Sequence, residues 1–156
     1  MSNNKKKYFQ QLSYEQVKEI IPQRFPFLML DRVAEIQPAV RAVGIKNLTG
    51  NEWYFQGHFP KKAITPGAVV SEAVAQTAIV LFRATYPSGR REGIFLVGAM
   101  KARFFRPTFP GDQLRIEVTA TKLIRHAGIF VGKVNVGDLL VARIEFSMSS
   151  GKTFVE

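Results

Sequence analysis

The chain has 156 residues, a length that suggests one domain, and 46% of them are hydrophobic, enough to build a real core. Twenty-two basic against 12 acidic side chains give a net charge of +10, which points to an acidic partner or a well-charged surface. There is no cysteine, which excludes disulfides, thiolate metal sites and a cysteine nucleophile, and there are only two histidines, which makes a zinc site improbable.

Residues 1–12, with Lys5-Lys6-Lys7, read as a flexible, solvated lead. They lack the apolar run of a secretory signal, and the expected location is cytoplasmic. Ser13 with Gln16 forms a capping-box pattern, which predicts a short helix from Tyr14 to Ile20 that stops before Pro22. Phe27 to Ile36 reads as a strand ended by Pro38, and Arg41 to Leu48 as a second, followed by a turn at Thr49-Gly50-Asn51. Pro66 suits a first helical turn, and apolar residues then lie on nearly every side as far as Arg83. This is the pattern of a fully buried helix, interrupted too often by polar residues for a membrane span. Tyr86-Pro87-Ser88-Gly89 terminates it. Gly93–Phe104, Gln113–Ile124, Ile129–Val136 and Leu139–Met148 read as four further strands, with His126-Ala127-Gly128 and Val136-Gly137-Asp138 at the hairpins. One helix that is apolar all round needs apolar cover all round, so the expected class is α+β: a curved antiparallel sheet of five or six strands wrapped around that helix. Residues 13–150 form the domain and 151–156 a tail.

The segment from Gly57 to Glu72 carries the chemistry. His58 lies in a stiff loop between Gly57 and Phe59-Pro60, just before the helix start. Histidine exchanges protons near neutrality. Glu72 sits among Val69, Val70, Ala73, Val74 and Ala75, about 9 Å along the helix from Pro66. A carboxylate there is costly unless paired, to a core arginine such as Arg103 in a purely structural role, or kept neutral as a general acid. Gln76, one turn on, shares its face and can hydrogen-bond it. The amide of Gly67, at the helix N-terminus, favours negative charge developing on a carbonyl oxygen. Lys101, Arg103 and Arg106, with Phe104 and Phe105, form a basic aromatic patch. Such a patch could be a nucleic-acid platform, or the rim of an apolar tunnel whose ligand arrives on an acidic carrier. His126 reads as a surface residue.

Several ordered blocks resemble the 3-hydroxyacyl-[acyl-carrier-protein] dehydratases of the FabZ type, which have the hotdog fold. They are Ile21-Pro-Gln-Arg-Phe-Pro-Phe-Leu-Met-Leu-Asp-Arg-Val33, Gly44-Ile-Lys-Asn-Leu-Thr-Gly-Asn-Glu52, Phe55-Gln-Gly-His-Phe-Pro60 with Pro66-Gly67 and Glu72-Ala-Val-Ala-Gln76, Lys101-Ala-Arg-Phe-Phe-Arg-Pro107 and Pro110-Gly-Asp-Gln-Leu114. The resemblance implies a hydro-lyase that converts 3-hydroxyacyl to trans-2-enoyl thioesters without metal or organic cofactor, in fatty-acid or related polyketide and secondary-metabolite synthesis. It implies His58 and Glu72 as the catalytic pair, contributed by different subunits of a homodimer, with a trimer of dimers as a larger assembly. It implies that the Gly67 amide binds the thioester carbonyl, with Phe59, Pro66 and Gln76 beside the substrate. It also implies an acidic acyl carrier protein as partner, met by Lys101, Arg103 and Arg106. Alternatives are a non-catalytic acyl-thioester-binding hotdog module, a hotdog thioesterase and a nucleic-acid binder. Three positions depart from the pattern. Gln23 replaces a histidine, Ala63 a proline, which should loosen the loop, and Thr65 an apolar residue, which adds a hydroxyl near the site.

Overall fold

A computed structural model describes residues 10–87 and 93–151. Ser13 caps helix α1 (Tyr14–Ile20): its side chain accepts from the Gln16 amide while Gln16 returns a bond to the Ser13 amide, closing the capping box. The strands are β1 (Gln10–Leu12), β2 (Arg32–Gln37), β3 (Arg41–Asn47), β4 (Ile94–Phe104), β5 (Gln113–Ile124), β6 (Ala127–Val136) and β7 (Leu139–Gly151). They form one antiparallel seven-stranded sheet in the order β1-β2-β3-β5-β6-β7-β4.

Helix α2 (Gly67–Thr85) lies against this sheet with Val69, Val70, Ala73, Val74, Ala78, Ile79, Val80, Leu81 and Phe82 all buried. Alternate residues of the strands, among them Ile116, Val118, Phe130, Val134, Ile144 and Phe146, supply the other wall of the core. Each such side chain contributes about 1.5–3 kcal/mol on burial. By length and composition α2 could cross a membrane, but 72% of that stretch is buried inside the protein, as a core helix requires. This is the hotdog arrangement that the resemblance implies.

The sequence reading needs four corrections. The expected flexible lead is in part a strand, because Gln10–Leu12 pairs with β2 as β1; residues 1–9 lie outside the described residues, as do 88–92 and the tail from 152. That addition makes the strand count seven rather than five or six. The strand expected from Phe27 begins only at Arg32, because the backbone of Phe27 and Met29 bonds to the Gln76 side chain instead of to a neighbouring strand. The hairpin between β5 and β6 turns on Arg125 and His126 alone, so that Ala127 and Gly128 belong to β6.

Strand β4 lies at the edge of the sheet, bonded among the described residues to β7 alone; Phe95 and Phe104 lean on α2, and most of its other residues are exposed. In the interior of the sheet, α2 presses so closely on β6 that a Cβ placed on Gly132 would lie 2.3 Å from Val74 Cγ1. Gly132→Ala should therefore cost about 1–3 kcal/mol in urea unfolding through overpacking. Adding Val74→Ala should recover part of that loss, whereas simple additivity of the two costs would refute the clash.

Candidate active site

His58 follows a single 3-10 turn, Trp53–Gln56, whose approach is anchored by a partly buried ion pair, Lys46 Nζ to Glu52 Oε1 at 3.2 Å. The loop after it is held by its own backbone. His58 N–H donates to Tyr54 O, Phe59 and Lys62 exchange two bonds, Ile64 N–H donates to His58 O, and Thr65 N–H donates to Thr108 O. The His58–Phe59 peptide is cis. The two rings stack at 4.1 Å, and Phe59 is half exposed.

The His58 ring has one fixed role. Its Nδ1 lies 2.7 Å from Ile64 O. A carbonyl only accepts, so Nδ1 carries the proton and Nε2 of the neutral ring is left as the free base.

His58 lines a cavity of about 330 Å³ together with Ile64, Thr65, Gly67, Phe104 and Arg106. Gly67 opens α2 there. Pro66 is its N-cap residue, with no side-chain capping bond, and the Gly67 amide makes no hydrogen bond among the described residues. The missing side chain at Gly67 is a packing requirement as well, since a Cβ would lie 2.8 Å from the Phe104 ring. Phe104, which the sequence placed in the basic aromatic patch, thus packs directly on the helix end.

Glu72 lies elsewhere. It is not among the residues lining this cavity, and its Oε1 accepts from Gln76 Nε2 at 2.8 Å. Gln76 is fully buried and spends the rest of its amide on Phe27 O and Met29 N–H, at 2.7 and 2.8 Å. Gln76 therefore bonds Glu72, as its spacing suggested, and each of its polar atoms has a partner within the chain. The structural alternative for Glu72, a pair with Arg103, is not what forms: the exposed Arg103 guanidinium stacks over Phe105 at 5.1 Å. Glu72 is half-buried rather than fully buried. Burial still raises its carboxyl pKa above the ordinary 4.5, and the bond from Gln76 offsets this in part. Lys101, Arg103 and Arg106 are all exposed, the first two on one face of β4. Among the described residues no group of three or more His, Asp or Glu side chains could hold a metal ion.

The raised pKa of Glu72 has a consequence for stability. A carboxyl whose folded pKa lies above its unfolded value makes the native state bind more protons, so stability is lost as pH rises from about 4.5 through the folded value. Glu72→Gln removes that penalty and keeps an oxygen for Gln76. It should raise Tm at pH 7–8, with the gain vanishing below the unfolded pKa; a variant less stable than the parent at pH 8 would contradict this.

Residues 21–145 match the model of the FabA-like domain family. The chain is 44% identical over 135 residues to the 3-hydroxyacyl-[acyl-carrier-protein] dehydratase FabZ of Pelotomaculum thermopropionicum, covering 86% of this chain and 95% of that one. It is 45% identical to the FabZ of Thermomicrobium roseum, covering 83% and 87%. Among solved structures, it resembles the dehydratase heterocomplex ApeI:P of Xenorhabdus doucetiae with a TM-score of 0.74, at 14% identity over 88% of this chain and 91% of that one. The Escherichia coli PaaI protein of the phenylacetic acid degradation operon superposes with a TM-score of 0.60, at 13% identity over 77% and 78%. At these identities the two structures attest the fold alone, whereas the curated relatives, matched over nearly their whole length, attest the family. The chain belongs to the FabZ-type 3-hydroxyacyl-[acyl-carrier-protein] dehydratases, within the FabA-like domain family and on the hotdog fold.

Proposed function

We propose that this protein dehydrates 3-hydroxyacyl thioesters to trans-2-enoyl thioesters in fatty-acid or related synthesis, with His58 as base, Glu72 as acid and the Gly67 amide as the carbonyl-binding group. The observation that carries the assignment is the shared cavity of His58 and the Gly67 helix end, in a chain of this family. The free amide and the helix dipole polarise a thioester carbonyl and so acidify the adjacent C2–H. His58 Nε2, left bare by the Nδ1 bond to Ile64 O, accepts that proton. The C2–H electron pair forms the C2–C3 double bond, and the C3–O bond breaks. The carboxyl of Glu72, disposed to stay protonated by burial, gives its proton to the departing hydroxide, which leaves as water.

The acid and the base belong to different subunits in this reading. Within one chain Glu72 is turned to Gln76 and away from the His58 cavity. Ala68 and Glu72, one helical turn apart, form the less covered stripe of an otherwise buried helix. The open edge of β4 offers a ladder for a second copy, which would extend the sheet and bring its Glu72 to this cavity. The substrate arrives on an acidic carrier protein, met by Arg106 at the cavity and by the exposed Lys101 and Arg103 on β4, and favoured by the net charge of +10.

Conversion of a 3-hydroxyacyl thioester, followed by enoyl absorbance, tests the reaction; release of free thiol instead would mark a thioesterase. His58→Ala and Glu72→Ala should each lower kcat by roughly 10²–10⁴-fold. Mixing the two inactive variants and allowing subunits to exchange should restore about a quarter of wild-type activity, since half of the dimers then hold one intact pair. No recovery despite exchange would place the pair within one subunit. Lys101→Glu with Arg103→Glu should raise KM several-fold for carrier-borne substrate, with the effect shrinking as salt rises. An equal rise for a small pantetheine mimic would argue against a carrier-docking role.

A further inference from the structure

The turn that leads to His58 is tied to the sheet through one charged pair. Lys46 lies near the end of β3 and is only 6% exposed, and among the described residues its Nζ bonds to Glu52 alone. Glu52 is the N-cap residue of the 3-10 turn, yet its side chain makes no capping bond there. The carboxylate reaches back instead. Its Oε1 takes the Lys46 ammonium at 3.2 Å and the Thr49 N–H at 3.3 Å. From Glu52 the bonds run on to the histidine: Phe55 N–H donates to Glu52 O, and the Gly57 and His58 N–H groups both donate to Tyr54 O.

An ion pair withdrawn from water seldom adds net stability, because desolvation offsets the attraction, and apolar residues of similar size do as well or better. What a charged, hydrogen-bonded contact adds is direction. The strand that supplies Lys46 gives that direction a use. Two residues earlier, β3 is pressed against α2, where a Cβ on Gly44 would lie 2.4 Å from Oγ1 of the fully buried Thr77. Lys46 is itself in register with Leu114 of β5, so it is held within the sheet. Strand β3 is thus a common reference for both halves of the cavity. At Gly44 it seats the helix whose Gly67 end opens there, and through Lys46 it seats the turn that leads to His58.

We infer that Lys46 and Glu52 are positioning residues, whose pair sets His58 Nε2 at its working distance from the Gly67 amide. This rests on the dehydratase reading and names what aligns its base. Neither side chain lines the cavity, so neither meets the substrate, and their effect falls on where the base sits. Misplacing a catalytic group by about 1 Å costs up to roughly 10²-fold in rate, and an interaction realised only in the transition state is lost from kcat rather than from KM.

The test is a mutant cycle read on stability and on turnover of a 3-hydroxyacyl pantetheine thioester, with kcat counted per folded molecule. Lys46→Met and Glu52→Gln each break the pair, and the second strands the ammonium. The combined variant removes both charges, and its glutamine keeps an oxygen for Thr49 N–H. In urea unfolding it should be more stable than Glu52→Gln alone. Its kcat should still lie on the order of tenfold or more below wild type, with KM within about twofold. Glu52→Asp, which keeps the charge on a shorter arm, should also lower kcat at unchanged KM, and it decides the question alone if the combined variant does not fold. Wild-type kcat in the combined variant or in Glu52→Asp, or a loss confined to KM, overturns the positioning role while the dehydratase reading stands. Absence of turnover by wild type overturns the dehydratase reading, and the positioning role with it.

Discussion

Gln76 sits in the middle of a helix that the fold buries, and its side-chain amide is spent completely: one N–H to the Phe27 carbonyl, the other to Glu72, and its oxygen to the Met29 amide. In a fully buried position any one of these groups left unpaired would cost about 1–3 kcal/mol. The three bonds act together. They hold the segment after α1 against α2, they stop that segment from continuing as a strand, and they fix the carboxylate one turn away. The rest of the molecule is arranged so that this helix can be enclosed. Alternate residues of the sheet close over it, and the absence of a side chain at Gly132 lets sheet and helix approach to contact.

The same helix organises the chemistry at its other end. Its first amide opens into the cavity, and Phe104 packs on Gly67 where any side chain would intrude. The His58 loop is built by backbone bonds from Tyr54 to Thr65, so that the ring nitrogen facing away from Ile64 O is set without a carboxylate partner. In many acid–base sites a carboxylate orients the histidine. Here a main-chain carbonyl does so, and the carboxylate is free for a separate role. His58 and Glu72 are thus held by independent supports.

Much of the fold was legible because its signals are local. The capping box of Ser13 and Gln16, the apolar run behind Pro66 and the alternation of the later strands each specify an element within a few residues. The errors came where a distant residue decided the outcome. Residues 27 to 31 have the composition of a strand, but the turn on the Arg24 carbonyl and the side chain of Gln76, 47 residues from Met29, divert them. Gln10–Leu12 carries no strong signal of its own and is ordered by pairing with β2. At the site, His58, Gly67 and Glu72 stood out by residue type and spacing. Tyr54 did not, because a buried tyrosine looks the same wherever it packs.

The sequence by itself determined the architecture, one helix too apolar for any place but a core, and the set of candidate proton-handling residues, because hydrophobic periodicity and rare polar residues in apolar surroundings are written along the chain. Tertiary structure alone decided which of those residues meet. It gathers His58, Gly67, Thr65 and Arg106 around one cavity, leaves Glu72 outside it with Gln76, and, among the described residues, leaves β4 without a strand on one edge. Contacts of this kind join positions far apart in the chain, and their distances follow from how sheet and helix pack rather than from any local preference of the residues concerned.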